Sequence, residues 1–153
     1  MIDLSKITDE LLERELLVLV EELKAKHIEL GQKASGKWIE SLEVVVSGGK
    51  GIIYGTGYTQ YLTKGRTPGA RPPINPLKEW AKVKLGVSDK EALNVAFAVA
   101  TKIANEGTDI YKSGGSDLVD GVITDKRVRQ MFDNIGKTLV TNISKDLTRE
   151  LAV

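Results

Sequence analysis

Cysteine is absent from this chain, and histidine occurs only once, as His27. Without cysteine the protein can have no disulfide, no thiolate metal site and no cysteine nucleophile. A zinc site would have to combine His27 with an unusual set of carboxylates. We therefore expect neither a metal ion nor another cofactor in this protein.

An excess of one charge is also missing, because 22 lysines and arginines stand against 21 aspartates and glutamates. The formal net charge of +1 gives no support for a protein that coats nucleic acid by electrostatic attraction. The longest apolar stretch, Ala92 to Ala100, contains Asn94 and is far shorter than the roughly 20 residues that a membrane span needs. The first residues lack the basic head of a secretory signal. We expect no membrane association and an aqueous working compartment.

Aliphatic side chains must build the core, since hydrophobic residues make up 41% of the chain and aromatic residues only 5%. A length of 153 residues is sufficient for one domain that buries its own apolar core. We expect a single domain over residues 1–153, composed of an N-terminal helix at 8–30, a hairpin and loop at 36–76, and a helical part at 76–151.

The N-terminal helix over residues 8–30 is predicted to be capped by Thr8 and to end at Gly31. His27, between Lys24 and Lys26, is expected on the solvated side of this helix. Around residues 16–20 little polar surface remains, so this segment belongs either to the domain core or to a subunit interface. The candidate interface residues are Leu16, Leu17, Val18, Leu19 and Val20.

A β-hairpin is predicted next. Residues 42–46 alternate as a strand whose inner face carries Leu42, Val44 and Val46, residues 47–51 suit a turn, and residues 52–54 return. A lone hairpin is only marginally stable. We expect it to lie on helices or to join strands of neighbouring subunits.

Three helices are predicted in the C-terminal half. One starts near Pro76 and ends at Gly86, and a second begins with the capping box Ser88-Asp89-Lys90-Glu91 and stops at Gly107. The Ala92 to Ala100 stretch of the second helix is apolar nearly all round, which predicts the most buried element, with Phe97 in the core. The last helix covers residues 124–151, with one apolar stripe and an end that projects or meets a partner. The fold class is therefore α+β, a small antiparallel sheet or hairpin packed against several helices, including a long C-terminal one.

No constellation in the sequence suggests catalysis, because no nucleophile stands beside a base and no phosphate-binding loop opens a helix. We expect a protein that is not an enzyme. One basic and aromatic segment is a candidate interaction loop, which either contacts another protein, grips a phosphate backbone or is simply solvated. Its residues are Tyr58, Tyr61, Lys64, Gly65, Arg66, Pro68, Gly69, Arg71, Pro72, Pro73 and, on the following helix, Trp80.

The order of motifs in the middle of the chain is distinctive. A tyrosine-bearing turn leads into Gly65-Arg66-Thr67-Pro68-Gly69, then into Pro72-Pro73 and a helix that carries Trp80. A later helix ends at Gly107-Thr108, and Ser35-Gly36-Lys37-Trp38 precedes the first strand. This order, which covers nearly half of the chain, resembles that of tail-completion or neck proteins, the head–tail connectors of tailed bacteriophages.

The resemblance implies a structural virion protein made in the host bacterial cytoplasm. Such a subunit would assemble with copies of itself as a ring at the head–tail junction, contact portal, neck or tail proteins, and have no enzymatic activity. This chain departs from the family pattern in its long C-terminal helix and in the lack of an evident terminal strand. The alternative is a small nucleic-acid-binding or regulatory module that uses Arg66 and Arg71.

Overall fold

The computed structural model describes residues Asp3 to Ala152, and they form a mostly helical α+β fold. A two-stranded antiparallel sheet and a long C-terminal helix accompany the other helices, which confirms the predicted fold class. In chain order the elements are α1 (Leu4–Glu29), α2 (Lys37–Glu40), β1 (Glu43–Ser47), β2 (Lys50–Tyr54), α3 (Thr59–Thr63), α4 (Ile74–Leu85), α5 (Asp89–Glu106), α6 (Asp109–Lys112) and α7 (Asp125–Leu151).

Helix α1 begins earlier than the sequence suggested. Asp3 is its N-cap and accepts a hydrogen bond from the Lys6 amide at 3.2 Å. Thr8, predicted to be the cap, lies inside the helix and donates to the Leu4 carbonyl at 2.7 Å. An aspartate is the better cap, because its negative charge also suits the positive end of the helix. At the other end, Gly31 has a φ of 67°, as predicted for the residue that follows a helix.

The hairpin lies on α1 through its inner face. Val44 pairs with Ile53 and Val46 with Gly51 in an antiparallel register. Val44, Val46 and Ile53 pack against the leucines of α1, so a helix supplies the support that the hairpin needs. A Cβ on Gly51 would collide with the Leu16 side chain, which explains the glycine at this position. The hairpin prediction is confirmed, with packing on helices.

The turn between the strands is held from outside the hairpin. Both carboxylate oxygens of Asp9 on α1 accept hydrogen bonds, from the Gly48 amide at 3.1 Å and from the Gly49 amide at 2.7 Å. Both glycines have positive φ, of 60° and 77°. The turn amides therefore find their acceptor on the helix that the hairpin covers.

Two apolar clusters make up the core, and α1 contributes to both. The first joins α1, α7 and the hairpin; its buried members are Leu11, Leu12, Leu16, Leu19, Met131 and Ile135. The second lies at the C-terminal end of α1; its buried members are Leu23, Trp38, Leu62 and Leu118.

His27 belongs to the buried side of α1, so the prediction of a solvated histidine was wrong. Its residue surface is only 3% exposed, and its ring centroid lies 4.6 Å from that of Trp38. His27 follows Leu23 by four residues and therefore continues the core-facing row of the helix. The neighbouring Lys24 and Lys26 suggested a polar face, but they lie to either side of this row.

Helices α4 and α5 pack against each other as a pair, which we call the α4–α5 arm. The predicted capping box is present: the Ser88 hydroxyl accepts from the Glu91 amide at 3.3 Å, and the Ser88 amide donates to the Glu91 carboxylate at 3.0 Å. Four alanines of the α4–α5 arm are completely buried: Ala81, Ala92, Ala96 and Ala100.

The prediction that α5 is the most buried element was wrong. Its buried residues form one row at four-residue spacing, while Phe97, about 100° around the helix from this row, is 49% exposed. Within residues 3–152, neither core cluster includes a side chain from α4 or α5. The row of alanines allows a close approach on one side of α5 only. Helix α5 therefore contacts α4 through this row and leaves its larger apolar side chains outside.

Helix α7 runs along α1 and spans roughly 40 Å at 1.5 Å per residue. Thr124 caps it by accepting from the Arg127 amide at 3.1 Å. Of the two alternatives for the core stripe, Met131 is buried and Phe132 is exposed. The Arg127 guanidinium forms a forked ion pair with Glu22 of α1, with nitrogen–oxygen distances of 2.9 to 3.1 Å.

Candidate functional site

The candidate interaction loop runs between α3 and α4, over residues 64–73, and is fixed to the end of α5. The Arg66 amide donates to the Thr108 hydroxyl at 2.9 Å, and the Thr108 amide returns a bond to the Arg66 carbonyl at 3.0 Å. Further along, the Gly69 amide donates to the Ala104 carbonyl at 2.8 Å. Because the loop makes these bonds with its own main-chain groups, its path is set by its backbone and not by its surface side chains.

Two glycines make this approach possible. Gly65 has a φ of 75°, and a Cβ there would collide with the Tyr111 backbone and lie 2.6 Å from the Thr108 hydroxyl. Gly107 has a φ of 80°, and its Cβ would lie 2.8 Å from the Arg66 carbonyl. Both positions combine a left-handed backbone with no room for a side chain, so both require glycine. We call this contact of residues 65–69 with residues 104–111 the glycine clamp.

A polar network connects the base of the loop to the core. The Ser116 amide donates to the Thr63 carbonyl at 2.7 Å, and the Ser116 hydroxyl donates to the Leu62 carbonyl at 2.6 Å. The Gln32 amide group also donates to the Leu62 carbonyl, at 2.9 Å. The side-chain oxygen of Gln32 lies 3.4 Å from the Nδ1 nitrogen of the His27 ring. The C-terminal end of α1 thus supports the start of the loop.

The outer surface of the loop carries cations and aromatic rings. The Arg66 guanidinium lies over the Tyr61 ring, 5.6 Å from its centroid, and the Tyr58 and Tyr61 ring centroids are 6.1 Å apart. Lys64 and Arg71 are exposed. Within the described chain, no carboxylate lies within ion-pairing distance of these three cations. Their hydrogen-bond donors are therefore available to an acceptor outside the subunit.

Tyr58 retains its proton. Burial raises the pKa of its phenol, although about half of the residue is exposed. At neutral pH the hydroxyl is therefore a neutral donor and acceptor beside the Tyr61 ring. The surface offers π faces, two tyrosine hydroxyls and three cations, a set that suits binding to carbonyl, carboxylate or phosphate oxygens.

The remaining loop residues have differing environments. Pro72 is buried, whereas Pro68, Gly69 and Pro73 are exposed. Pro73 is the N-cap of α4, with an extended backbone at ψ 136°, and Trp80 lies partly buried in the middle of α4. The prolines therefore anchor the loop at one point and direct it into the arm.

The candidate subunit interface on α1 is divided by the structure. Leu16, Leu19 and Val20 are buried in the subunit, whereas Leu17 and Val18 are half exposed. Val18 also borders a shallow cleft of about 230 Å³ between α1 and α7. The exposed pair, and not the whole segment, is available to a neighbour.

A second shallow depression, of about 340 Å³, lies beside the start of α7. Its lining includes Glu22, Lys126 and the ion-paired Arg127. One guanidinium nitrogen of Arg127 is buried without a hydrogen-bond partner, 3.9 Å from the Glu15 carboxylate. The charges of Glu22 and Arg127 in this depression are already engaged in joining α7 to α1.

Several residues that shape the site carried little signal in the sequence. Thr108 could have been recognised as a cap, since it accepts from the Tyr111 amide at the start of α6. Gln32 and Ser116 gave no indication, because their bonds to Leu62 join residues far apart in the chain.

Comparison with known proteins does not assign the chain to a family. No protein family model, curated protein or solved structure matches it. Within residues 3–152, no three side chains of histidine, cysteine, aspartate or glutamate gather as metal ligands. No helix of that range combines the length and the apolar character needed to cross a bilayer.

Proposed function

We propose that this chain is a structural, non-enzymatic virion protein of a tailed bacteriophage that forms a ring with copies of itself at the neck or tail-completion position. The glycine clamp is the observation that carries the proposal. It joins Gly65-Arg66 to Gly107-Thr108, two segments of the motif order that resembles the neck and tail-completion family. These segments are 42 residues apart, and each supplies a glycine that the contact requires.

The physical role of the clamp supports a contact surface. A loop that is fixed before it binds loses little conformational entropy on docking, so its contacts give more net affinity. The clamp fixes the backbone of Arg66 while its guanidinium remains at the surface over Tyr61. A portal, neck or tail protein that presents backbone carbonyls or carboxylates would find these donors already placed.

Ring closure requires a second, different patch on the same subunit. The half-exposed Leu17 and Val18 on α1 provide one apolar candidate, and the outer edge of β2 near Tyr54 provides another with free main-chain groups. The loop connects α3 to α4, whereas these patches lie on α1 and β2. This arrangement suits a heterologous contact between one subunit and the next.

The double variant Arg66→Ala with Arg71→Ala tests the role of the loop. We expect it to fold normally, because neither side chain is buried, and to fail to complement assembly of particles that depend on this protein. The matched control replaces two exposed lysines away from the loop, Lys37→Ala with Lys50→Ala. If purified particles lack the native protein altogether, the virion assignment is wrong regardless of the behaviour of the variants.

Binding to nucleic acid is the second candidate function, and the Arg66–Tyr61 stack with Tyr58 beside it is the observation that favours it. Such a surface can grip phosphates and stack on bases. Filter binding of DNA at low and high salt separates the two functions. Tight binding that weakens with salt, and that the same double variant removes, would replace the neck proposal with this one.

A further inference from the structure

Helix α7 carries a second apolar row, mostly exposed, beside the row that faces the core. We call it the outer row, and its spacing of three and four residues places it on one side of the helix. It is separate from the core-facing row that contains Met131, Ile135 and, at the margin of the core, Leu139. The outer row consists of Phe132, Gly136, Val140, Ile143, Leu147 and Leu151.

Most side chains of the outer row are exposed to solvent. Val140 is 66% exposed and Leu151 is 85% exposed, and Phe132 and Leu147 are exposed by half or more, whereas Ile143 is partly buried. Isolated apolar residues on a surface are common, but a continuous row over five helical turns is typical of a helix that packs against another helix.

Among the described residues, no close contact requires glycine at position 136 in this row. It lies inside a long helix, its backbone is helical, and a Cβ would meet nothing within 4 Å. A glycine inside a helix is less favourable than an alanine. Nothing in the subunit offsets this cost, whereas the close approach of a large side chain from another helix would need the space that glycine leaves.

We propose that the outer row binds the outer row of a second copy of this chain, with the two α7 helices antiparallel and related by a twofold axis between Val140 and Ile143. The row is complementary to itself in this arrangement. Leu147 of each copy then lies over Gly136 of the other, and Val140 lies opposite Ile143. At each end of the interface, Phe132 of one copy lies level with Leu151 of the other. The large side chain and the space for it thus come from the same sequence, which is the property of an isologous interface.

This interface is independent of the proposed ring contacts. It uses the outer row of α7, whereas the glycine clamp lies between the loop at residues 64–73 and the end of α5. Loss of pairing through α7 and loss of assembly through Arg66 and Arg71 are therefore separate outcomes. Either proposal can fail while the other stands.

Single-cysteine variants test the pairing directly, because the native chain has no cysteine that could interfere. Across the proposed axis, copies of residue 143 are offset by about 4.5 Å along the helices, whereas copies of residue 147 are offset by about 16 Å. Under mild oxidation we expect Ile143→Cys to form a disulfide-linked dimer and Leu147→Cys alone to form none. A mixture of Leu147→Cys and Gly136→Cys should form the mixed dimer.

The other outcomes each contradict a part of the proposal. Efficient linkage of Leu147→Cys to itself would mean parallel helices and would overturn the antiparallel arrangement. A matched control is Thr141→Cys, an exposed residue on another side of α7, and it should not link. A native chain that sediments as a monomer, with no linkage at any position of the row, would assign the row to a different protein and refute pairing with a second copy.

Gly136→Leu provides a test that does not depend on cysteine. The added side chain has open space within the subunit and a higher helix propensity, so the monomer should unfold at higher denaturant concentration. The same side chain would occupy the space needed by Leu147 of the partner, and dimerisation measured by sedimentation should weaken by about tenfold or more. Unchanged dimerisation would show that Gly136 is not at the contact.

Discussion

The body of the protein and the α4–α5 arm pack their helices with different side chains. In the body, α1 buries leucines between α7 and the hairpin, so large apolar groups fill the space between elements. In the arm, fully buried alanines permit the close approach of two helices, and larger apolar groups such as Phe97 remain outside. Burial of a helix backbone and burial of large side chains are thus separate properties, and only the second supplies most of the hydrophobic stabilisation.

The largest expected effect is in the body. Leu19 is 2% exposed and lies within the first core cluster, so Leu19→Ala should lower the free energy of unfolding by about 2–5 kcal/mol. Leu17→Ala, two residues away and half exposed, is the matched control and should change it much less. Equal losses in chemical denaturation would mean that α1 is buried on both sides and that the comparison is wrong.

The junction between body and arm comes next. Gly65→Ala should lower stability by about 1–3 kcal/mol through the left-handed backbone alone, with a further loss from the collision at Tyr111. Hydrogen exchange should become faster at residues 104–111, because the glycine clamp can no longer close. Gly57→Ala is the control, since its Cβ would meet nothing within 4 Å. If exchange at the clamp is unchanged, the loop is not held by the contact described.

A dependence on pH should appear in the body through His27. Burial lowers the pKa of its imidazole, and the ammonium groups of Lys33 and Lys84 lower it further against the effect of the Gln32 hydrogen bond. The unfolded chain therefore binds the proton more readily than the folded one. Stability from this residue is fully present above the ordinary pKa of 6.5 and is lost as the pH falls below that value.

Urea unfolding above and below pH 6.5 measures this contribution. The variant His27→Gln removes the only imidazole of the chain, so it should lose the part of the pH dependence that titrates near neutrality. If the native chain and the variant show the same change with pH in that range, the ring of His27 is not desolvated in the folded protein.

The smallest effect is expected in the arm. Phe97 is 49% exposed, so Phe97→Ala should lower the free energy of unfolding by less than about 1 kcal/mol, in contrast to the cost of emptying a core aromatic site. A loss as large as that of Leu19→Ala would place Phe97 in a buried site and remove the distinction between arm and body.

Local signals in the sequence predicted much of the fold. The capping box at Ser88, the glycines that end α1 and α4, and the alternation of Val44 and Val46 each act within a few residues, and each is present as expected. The two wrong predictions of burial have one physical origin. An apolar residue can be counted in the sequence, but the side from which a neighbour approaches cannot, so Phe97 and His27 were assigned to the wrong environments.

The candidate site was predicted in the same uneven way. The stiffness of the loop follows from its prolines, and the exposure of Lys64 and Arg71 follows from their charge. The sequence could not show which surface the loop lies against, because the hydrogen bonds between Arg66 and Thr108 join residues that are 42 positions apart. Gly65 and Gly107 were recognisable as part of a motif before the reason for each glycine was known.

The position of Asp9 has a consequence for the order of folding. Its carboxylate accepts from the turn amides of Gly48 and Gly49, which follow it by 39 and 40 residues. Isolated hairpins form in about 1–10 μs but are hardly stable, so β1 and β2 should open and close many times before the chain is folded. Closure becomes permanent only when α1 has formed and lies beneath them. Asp9→Ala should therefore slow folding and hardly change the rate of unfolding, the kinetic signature of a contact already made in the transition state.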